Sequence, residues 1–315
     1  PNMVEVQPRW RSRSRSSRPR RPCATRSRRT LRPSRRRAST RSRASPSRSR
    51  AARFRSTQPL DRAVLHRTEE ATRCLSGCVC VSPGSLPGLL APGLAGLESA
   101  SASSATPVVD ASRWDLLFAD ERCVPLGSDD SNHRACGAVV RALPGAAVHA
   151  IDETLADDPA AAARAYDTTV RRVCDGRLDL ALLGCGHDGH TASLFPGHAL
   201  YADDTCAASV VAIHDSPKPP PARVTLTRRA LGRSSHIAYV ATGESKAPVL
   251  ARVFVATDRA RRRFAYADPL PTDLPIATIR ASDGSAHWFL DEAAAAAIPD
   301  APSSSSSSGG DAAAG

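Results

Sequence analysis

The sequence predicts an α/β domain built on a mostly parallel sheet with helices on both faces. Three observations predict it. Short apolar runs bounded by polar residues recur along the chain, among them Cys78–Val81, Trp114–Ala119, Leu178–Gly184 and His236–Ala241, and their length suits strands rather than helices. Segments of helical composition separate them, and strand alternating with helix is the pattern of βαβ units. The run ending at Gly184 passes through Cys185-Gly186 directly into His187-Asp188-Gly189-His190. Glycines there let the backbone turn sharply, and the edge beyond the carboxyl ends of parallel strands is where open α/β sheets bind ligands.

Charge divides the chain into unlike parts. The 315 residues carry a formal net charge of +12, but residues 1–55 hold 20 Arg, no Lys and one acid, Glu5. That segment is therefore +19 and the remainder −7. Residues 1–58 read as a disordered Arg/Ser-rich arm with little to bury. Its composition suits an organelle transit peptide, the end of a fragment or of a misassembled gene, or a tail that meets phosphate backbones by charge. No RNA-reading module follows, so the body itself gives no reason to expect nucleic acid. Residues 59–300 form the α/β domain, and 301–315 a disordered Ser/Gly tail.

Nine cysteines lack the paired spacing of zinc sites, which predicts reduced, mostly buried thiols. No apolar run approaches the roughly 20 residues that span a bilayer, so no membrane partner is expected. The expected compartment is the cytoplasm, or a plastid or other organelle if the arm is a transit peptide. The expected state is a monomer.

The elements follow in order. A helix is expected over 59–75, with Pro59 near its start. Strand Cys78–Val81 leads into Ser82-Pro83-Gly84-Ser85 and a helix from Leu86, a loop whose N–H groups can cradle a phosphate. A small-residue linker covers 98–112. Strand Trp114–Ala119 delivers Asp120-Glu121-Arg122, where an arginine stays charged and forks onto oxyanions. Asp158-Pro159 is an N-cap and N1 pair for an Ala-rich helix to Cys174, stopped by Gly176. Asp215–Thr227 is expected to be a rigid proline loop presenting Lys218 and Arg223 to an anion. After strand His236–Ala241, Gly243-Glu244-Ser245-Lys246 opens a helix to about Val255. Leu274–Arg280 and His287–Leu290 are expected strands, and Asp291 caps a final Ala helix. Asp188 and His190 are the candidates for proton transfer, because an ordinary imidazole titrates near neutral pH.

Four separated segments together resemble the 6-phosphogluconolactonase family: Ser82–Leu86 weakly, Trp114–Asn132, Asp179–Pro196, and Ser216–Ala241 with Gly243–Lys246. The resemblance implies a Rossmann-like fold shared with glucosamine-6-phosphate deaminases and ribose-5-phosphate isomerases. It also implies cofactor-free hydrolysis of 6-phospho-D-glucono-1,5-lactone, a sugar phosphate, to 6-phosphogluconate. Carried onto this sequence, it makes His190 the general base, with Asp188 orienting the imidazole and Arg122 neutralising charge or fixing Asp188. Ser82, Gly84, Ser85, Asp120, Lys218 and Arg223 are implied to bind the substrate and its phosphate, without metal. Pro83 stands where the family has a glycine, which removes one N–H donor from the loop. Alternatives are a glucosamine-6-phosphate deaminase, whose Asn-Glu-Pro segment is replaced here by Leu194-Phe195-Pro196, and a non-catalytic sugar-phosphate or RNA-binding protein with an Arg/Ser tail.

Overall fold

A computed structural model describes residues 4–6, 77–82, 84, 86–99, 110–202 and 206–302. The helix expected over 59–75, the C-terminal tail, and all of the arm except Val4–Val6 lie outside the described residues. The strands, in chain order, are β1 Val4–Val6, β2 Gly77–Val81, β3 Trp114–Phe118, β4 Asp120–Arg122, β5 Ala147–His149 and β6 Leu180–Gly184. There follow β7 Val210–Ile213, β8 Arg223–Leu226, β9 His236–Ala241, β10 Phe254–Asp258, β11 Arg263–Tyr266 and β12 His287–Leu290.

The main sheet has the order β1-β12-β9-β6-β2-β3-β5. Its strands from β12 to β5 pair in parallel, and β1 joins the edge antiparallel to β12. Numbering the parallel strands by their sequence order gives 3-2-1-4-5-6, the doubly wound arrangement. The order reverses between β2 and β6, so a crevice opens beyond the ends of those two strands.

Side-chain alternation fills both faces, as a strand's two-residue period requires. Leu117, Ala181, Leu183, Ile237, Tyr239, Trp288 and Leu290 face one core, which includes Tyr166 and Val170 of helix Pro159–Cys174. Their neighbours Leu116, Phe118, Leu182, Ala238 and Phe289 face the other, with Leu86 and Val139. Asp158 caps helix Pro159–Cys174 by accepting from the Ala161 N–H, and Asp175 ends it in the left-handed region at φ 47°. Tyr166 ties this helix to β3. Its hydroxyl accepts from the Phe118 N–H at 2.8 Å and donates to the Phe118 carbonyl at 3.2 Å.

Several elements differ from expectation. Leu274–Arg280 is not a strand: Pro275–Thr278 forms one helical turn. Proline is pre-set for the first position of a helix and has no N–H to give a ladder. The helix after Gly243 ends at Val253, and the chain continues as the β10–β11 hairpin. The Leu86 helix runs through Ser99, into the segment expected to be linker. A second, antiparallel sheet of order β4-β8-β7 has no counterpart in the sequence-based expectation. It joins the Asp120–Arg122 corner to the end of the proline loop through the pairs Asp120–Thr225 and Arg122–Arg223.

The described cysteines are free: Cys78, Cys80, Cys136, Cys174 and Cys185 are buried, and Cys123 and Cys206 half-buried. Among the described residues, no helix is long and apolar enough to cross a membrane.

Candidate active site

The turn after β6 is shaped by what its glycines exclude. A Cβ on Gly186 would lie 2.0 Å from His190 Nδ1 and 2.5 Å from Asp188 Oδ1, so a side chain there would displace both. The Gly189 N–H donates to the Gly186 carbonyl at 3.0 Å, and the Gly186 N–H to the His190 carbonyl at 2.8 Å. Gly189 has φ +87°, and a Cβ would meet Leu274 Cδ2 at 2.8 Å. The Ile276 N–H donates to the Gly189 carbonyl, so the helical turn at 275–278 backs the loop directly. The Thr191 hydroxyl then donates to the Gly184 carbonyl at 2.9 Å, closing the turn onto its own strand.

This geometry sets His190 against Asp188, Nδ1 to Oδ1 at 2.5 Å. A carboxylate only accepts, so the contact assigns the proton to Nδ1 and leaves the lone pair on Nε2. The imidazole rests on Phe195, with ring centroids 4.8 Å apart. Lys218 Nζ lies 3.2 Å from Asp188 Oδ2 and 3.2 Å from His190 Nδ1. With Nδ1 protonated, the ammonium's hydrogen bond is the one to Asp188. Partial burial pushes the Asp188 carboxyl up, but the hydrogen bond and charge of His190, with the charge of Lys218, hold it well below the usual carboxylate range.

The Asp-Glu-Arg corner is a buried network rather than a solvated rim. Glu121 is fully buried and accepts from the N–H groups of Arg122, Asn132 and His133 and from the Ser131 hydroxyl. Burial pushes its carboxyl up, against those hydrogen bonds. Its place is structural, anchoring the start of the 132–135 helix. Asp120, 2 % exposed, accepts from the Ser193 hydroxyl at 2.6 Å and from Asn132 Nδ2 at 3.1 Å. Arg122 donates from Nη1 to the Asp130 carbonyl at 2.7 Å, while its buried Nε has no partner among the described residues.

A cavity of about 210 Å³ joins these groups. Ser82, Gly84, Asp120, Arg122, His190, Lys218 and Arg223 all line it. Asp188 stands behind His190, and Ser85, like Pro83, lies outside the described residues. Ser82 is 3 % exposed and its hydroxyl has no partner among the described residues. Arg223 departs from the expectation of a cation presented on a loop. It begins β8, is 3 % exposed, and directs its guanidinium at neighbouring carbonyls and at Ser193. Burial lowers it from its ordinary value, and Asp120 offsets part of that.

Lys246 and Thr242 line the cavity too, although in the sequence the Gly243–Lys246 segment reads as a helix entry and a part of the family resemblance, with neither residue assigned to the site. The signal was available: these residues follow β9, the neighbour of β6, at the ligand-binding edge. Lys246 also acts on Cys185, whose thiol burial pushes up to about 12 against the lysine's charge.

Comparisons with known proteins place the chain in a family and match its fold. The family profile described as "Glucosamine-6-phosphate isomerases/6-phosphogluconolactonase" matches residues 56–288. The 6-phosphogluconolactonase of Rattus norvegicus is 37% identical over 239 residues, covering 72% of this chain and 84% of the relative. That of Homo sapiens is 36% identical over 255 residues, covering 77% and 91%. Among solved structures, the devB protein aligns with TM-score 0.56 at 29% identity, over 76% of this chain and 97% of that one. The 6-phosphogluconolactonase of Thermotoga maritima aligns with TM-score 0.53 at 26% identity, over 73% and 93%. Fold, cavity and matched length together establish that the chain belongs to the glucosamine-6-phosphate isomerase/6-phosphogluconolactonase family.

Proposed function

We propose that this chain hydrolyses 6-phospho-D-glucono-1,5-lactone to 6-phosphogluconate, with His190 as general base. The observation that carries the proposal is the Asp188–His190 pair at 2.5 Å on a cavity lined by Arg122, Lys218 and Lys246. Nε2 takes a proton from water as its oxygen attacks the lactone carbonyl. Asp188 holds the tautomer and stabilises the imidazolium that forms, and the charges of Lys218 and Arg122 favour the developing oxyanion. When the ring C–O bond breaks, the imidazolium returns the proton to the departing alkoxide. A lactone opens without a nucleophilic side chain.

The contact of Lys218 with Asp188 favours the reacting end for this lysine rather than the phosphate. The phosphate then falls to Ser82, Gly84 and Ser85 at the start of helix Leu86–Ser99, with Lys246. A buried hydroxyl without a partner among the described residues and a helix N-terminus both suit an anion. Binding energy from that remote group positions the ring for attack. The test is a coupled assay with freshly generated 6-phosphogluconolactone, the spontaneous hydrolysis subtracted. Turnover above background supports the assignment. Ammonia release from glucosamine 6-phosphate with no lactone turnover would replace it with a deaminase.

A further inference from the structure

Arg223 and Lys218 are five residues apart and do different things. Arg223 Nε donates to the Pro220 carbonyl at 2.9 Å, and Nη2 donates to the carbonyls of Lys218 at 2.7 Å and Pro219 at 3.1 Å. Nη1 donates to Ser193 Oγ at 3.3 Å and lies 3.9 Å from Asp120 Oδ2. The Ser193 hydroxyl itself donates to Asp120 at 2.6 Å. One planar fork thus gathers three consecutive carbonyls while its far side is held by a buried acid and a hydroxyl. A guanidinium can do this because its donors are fixed in one plane, whereas an ammonium is a point charge.

The gathered loop carries the ammonium that meets the dyad. The Lys218 backbone is held again by Ser216, whose hydroxyl accepts from its N–H and donates to its carbonyl. Phe195 stands beside both cations, with Lys218 Nζ 6.0 Å and the Arg223 guanidinium carbon 5.8 Å from its ring centroid. The same ring supports His190.

We infer that Arg223 is a positioning residue and not a substrate ligand. Anchored by Asp120 and Ser193, it holds the carbonyls of residues 218–220 and so fixes the Lys218 ammonium against Asp188 and His190. The inference deepens the lactonase assignment and rests on it.

A double-mutant cycle tests it. Arg223→Lys keeps the charge but cannot gather three carbonyls, so kcat/KM falls by about 30-fold, close to the loss in Arg223→Gln. In a Lys218→Ala background the same Arg223→Lys change alters kcat/KM by less than about 3-fold, because its effect runs through Lys218. Losses that multiply fully in the double variant, or near-wild-type activity in Arg223→Lys, overturn the inference. If Arg223→Lys does not fold, Ser193→Ala replaces it in the cycle, with a smaller loss that is likewise absorbed by Lys218→Ala. A crystal structure of the wild-type chain with 6-phosphogluconate gives a separate reading. The fork remaining on the carbonyls supports the inference, and a ligand oxygen within hydrogen-bond distance of Arg223 overturns it. Wild-type protein without lactone turnover removes the lactonase assignment instead, and the cycle is then read in 6-phosphogluconate affinity by calorimetry.

Discussion

Gly186 has room for a hydrogen and nothing larger, because His190 Nδ1 occupies the place a Cβ would take. Gly186→Ala therefore separates the imidazole from Asp188, and a displacement of about 1 Å in a catalytic group costs about 100-fold in kcat. A circular dichroism melt close to wild type, with that loss of turnover, is the expected pair of results. His190→Ala removes the base itself, for an expected loss of about 10³-fold in kcat. Lactone turnover in that variant equal to wild type would eliminate the base. Asp188 makes a further prediction in acid. Its folded-state carboxyl is held below the unfolded value of about 3.9. Its contribution to stability is thus fully present above that value and lost as pH falls through the folded value. Asp188→Asn is expected to be less stable than wild type at pH 7, with the gap closing below about pH 4. Denaturant titrations at pH 7 and at steps downward from about pH 4 measure it, and a gap that stays constant below about pH 4 would contradict it.

Among the elements, helix Pro159–Cys174 meets the strand that leads to Asp120 through the Tyr166 hydroxyl. Tyr166 closes the last N–H and carbonyl of β3, just before Asp120. Tyr166→Phe leaves both buried groups unpaired, at an expected cost of about 1–3 kcal/mol. Urea titration should show the loss, with kcat changed far less than by His190→Ala. This helix was legible in the sequence, since Asp158-Pro159 and the change of pattern at Gly176 mark both ends. The parallel strands were legible as apolar runs, and the glycine turn after β6 showed where chemistry belongs. The β4-β8-β7 sheet was not. Arg223–Leu226 comes one residue after a proline run, and its antiparallel pairing to β4, more than about 100 positions earlier, leaves no local trace. Pro275 was misread because Leu274–Ile279 is apolar apart from Thr278, and a mostly apolar run this short fits a strand or a buried helical turn equally. Arg223 was recognisable as a cation near the site, but its burial depends on that unseen sheet.

For the whole molecule, sign and topology combine. Residues 56–315 are net negative, yet the cavity gathers Arg122, Lys218, Arg223 and Lys246 around one acid that lines it, Asp120. Such a cleft concentrates positive potential for an anionic substrate within a stretch of chain whose net charge is negative. Raising ionic strength from about 0.01 to 0.5 M should raise KM several-fold while leaving kcat nearly unchanged, since screening weakens attraction from a distance more than contacts already made. A KM independent of salt would contradict electrostatic capture.

The cavity draws on the segments that follow β2, β3, β6, β7 and β9, from Ser82 to Lys246. No contiguous stretch of the polypeptide contains a working fraction of it. Enzymatic competence therefore cannot emerge piecemeal as the chain folds: helices form early, but the basic and catalytic groups meet only once the distant strands are in register. During refolding, recovered turnover should trail the far-ultraviolet helical signal and coincide with the slowest step of sheet assembly.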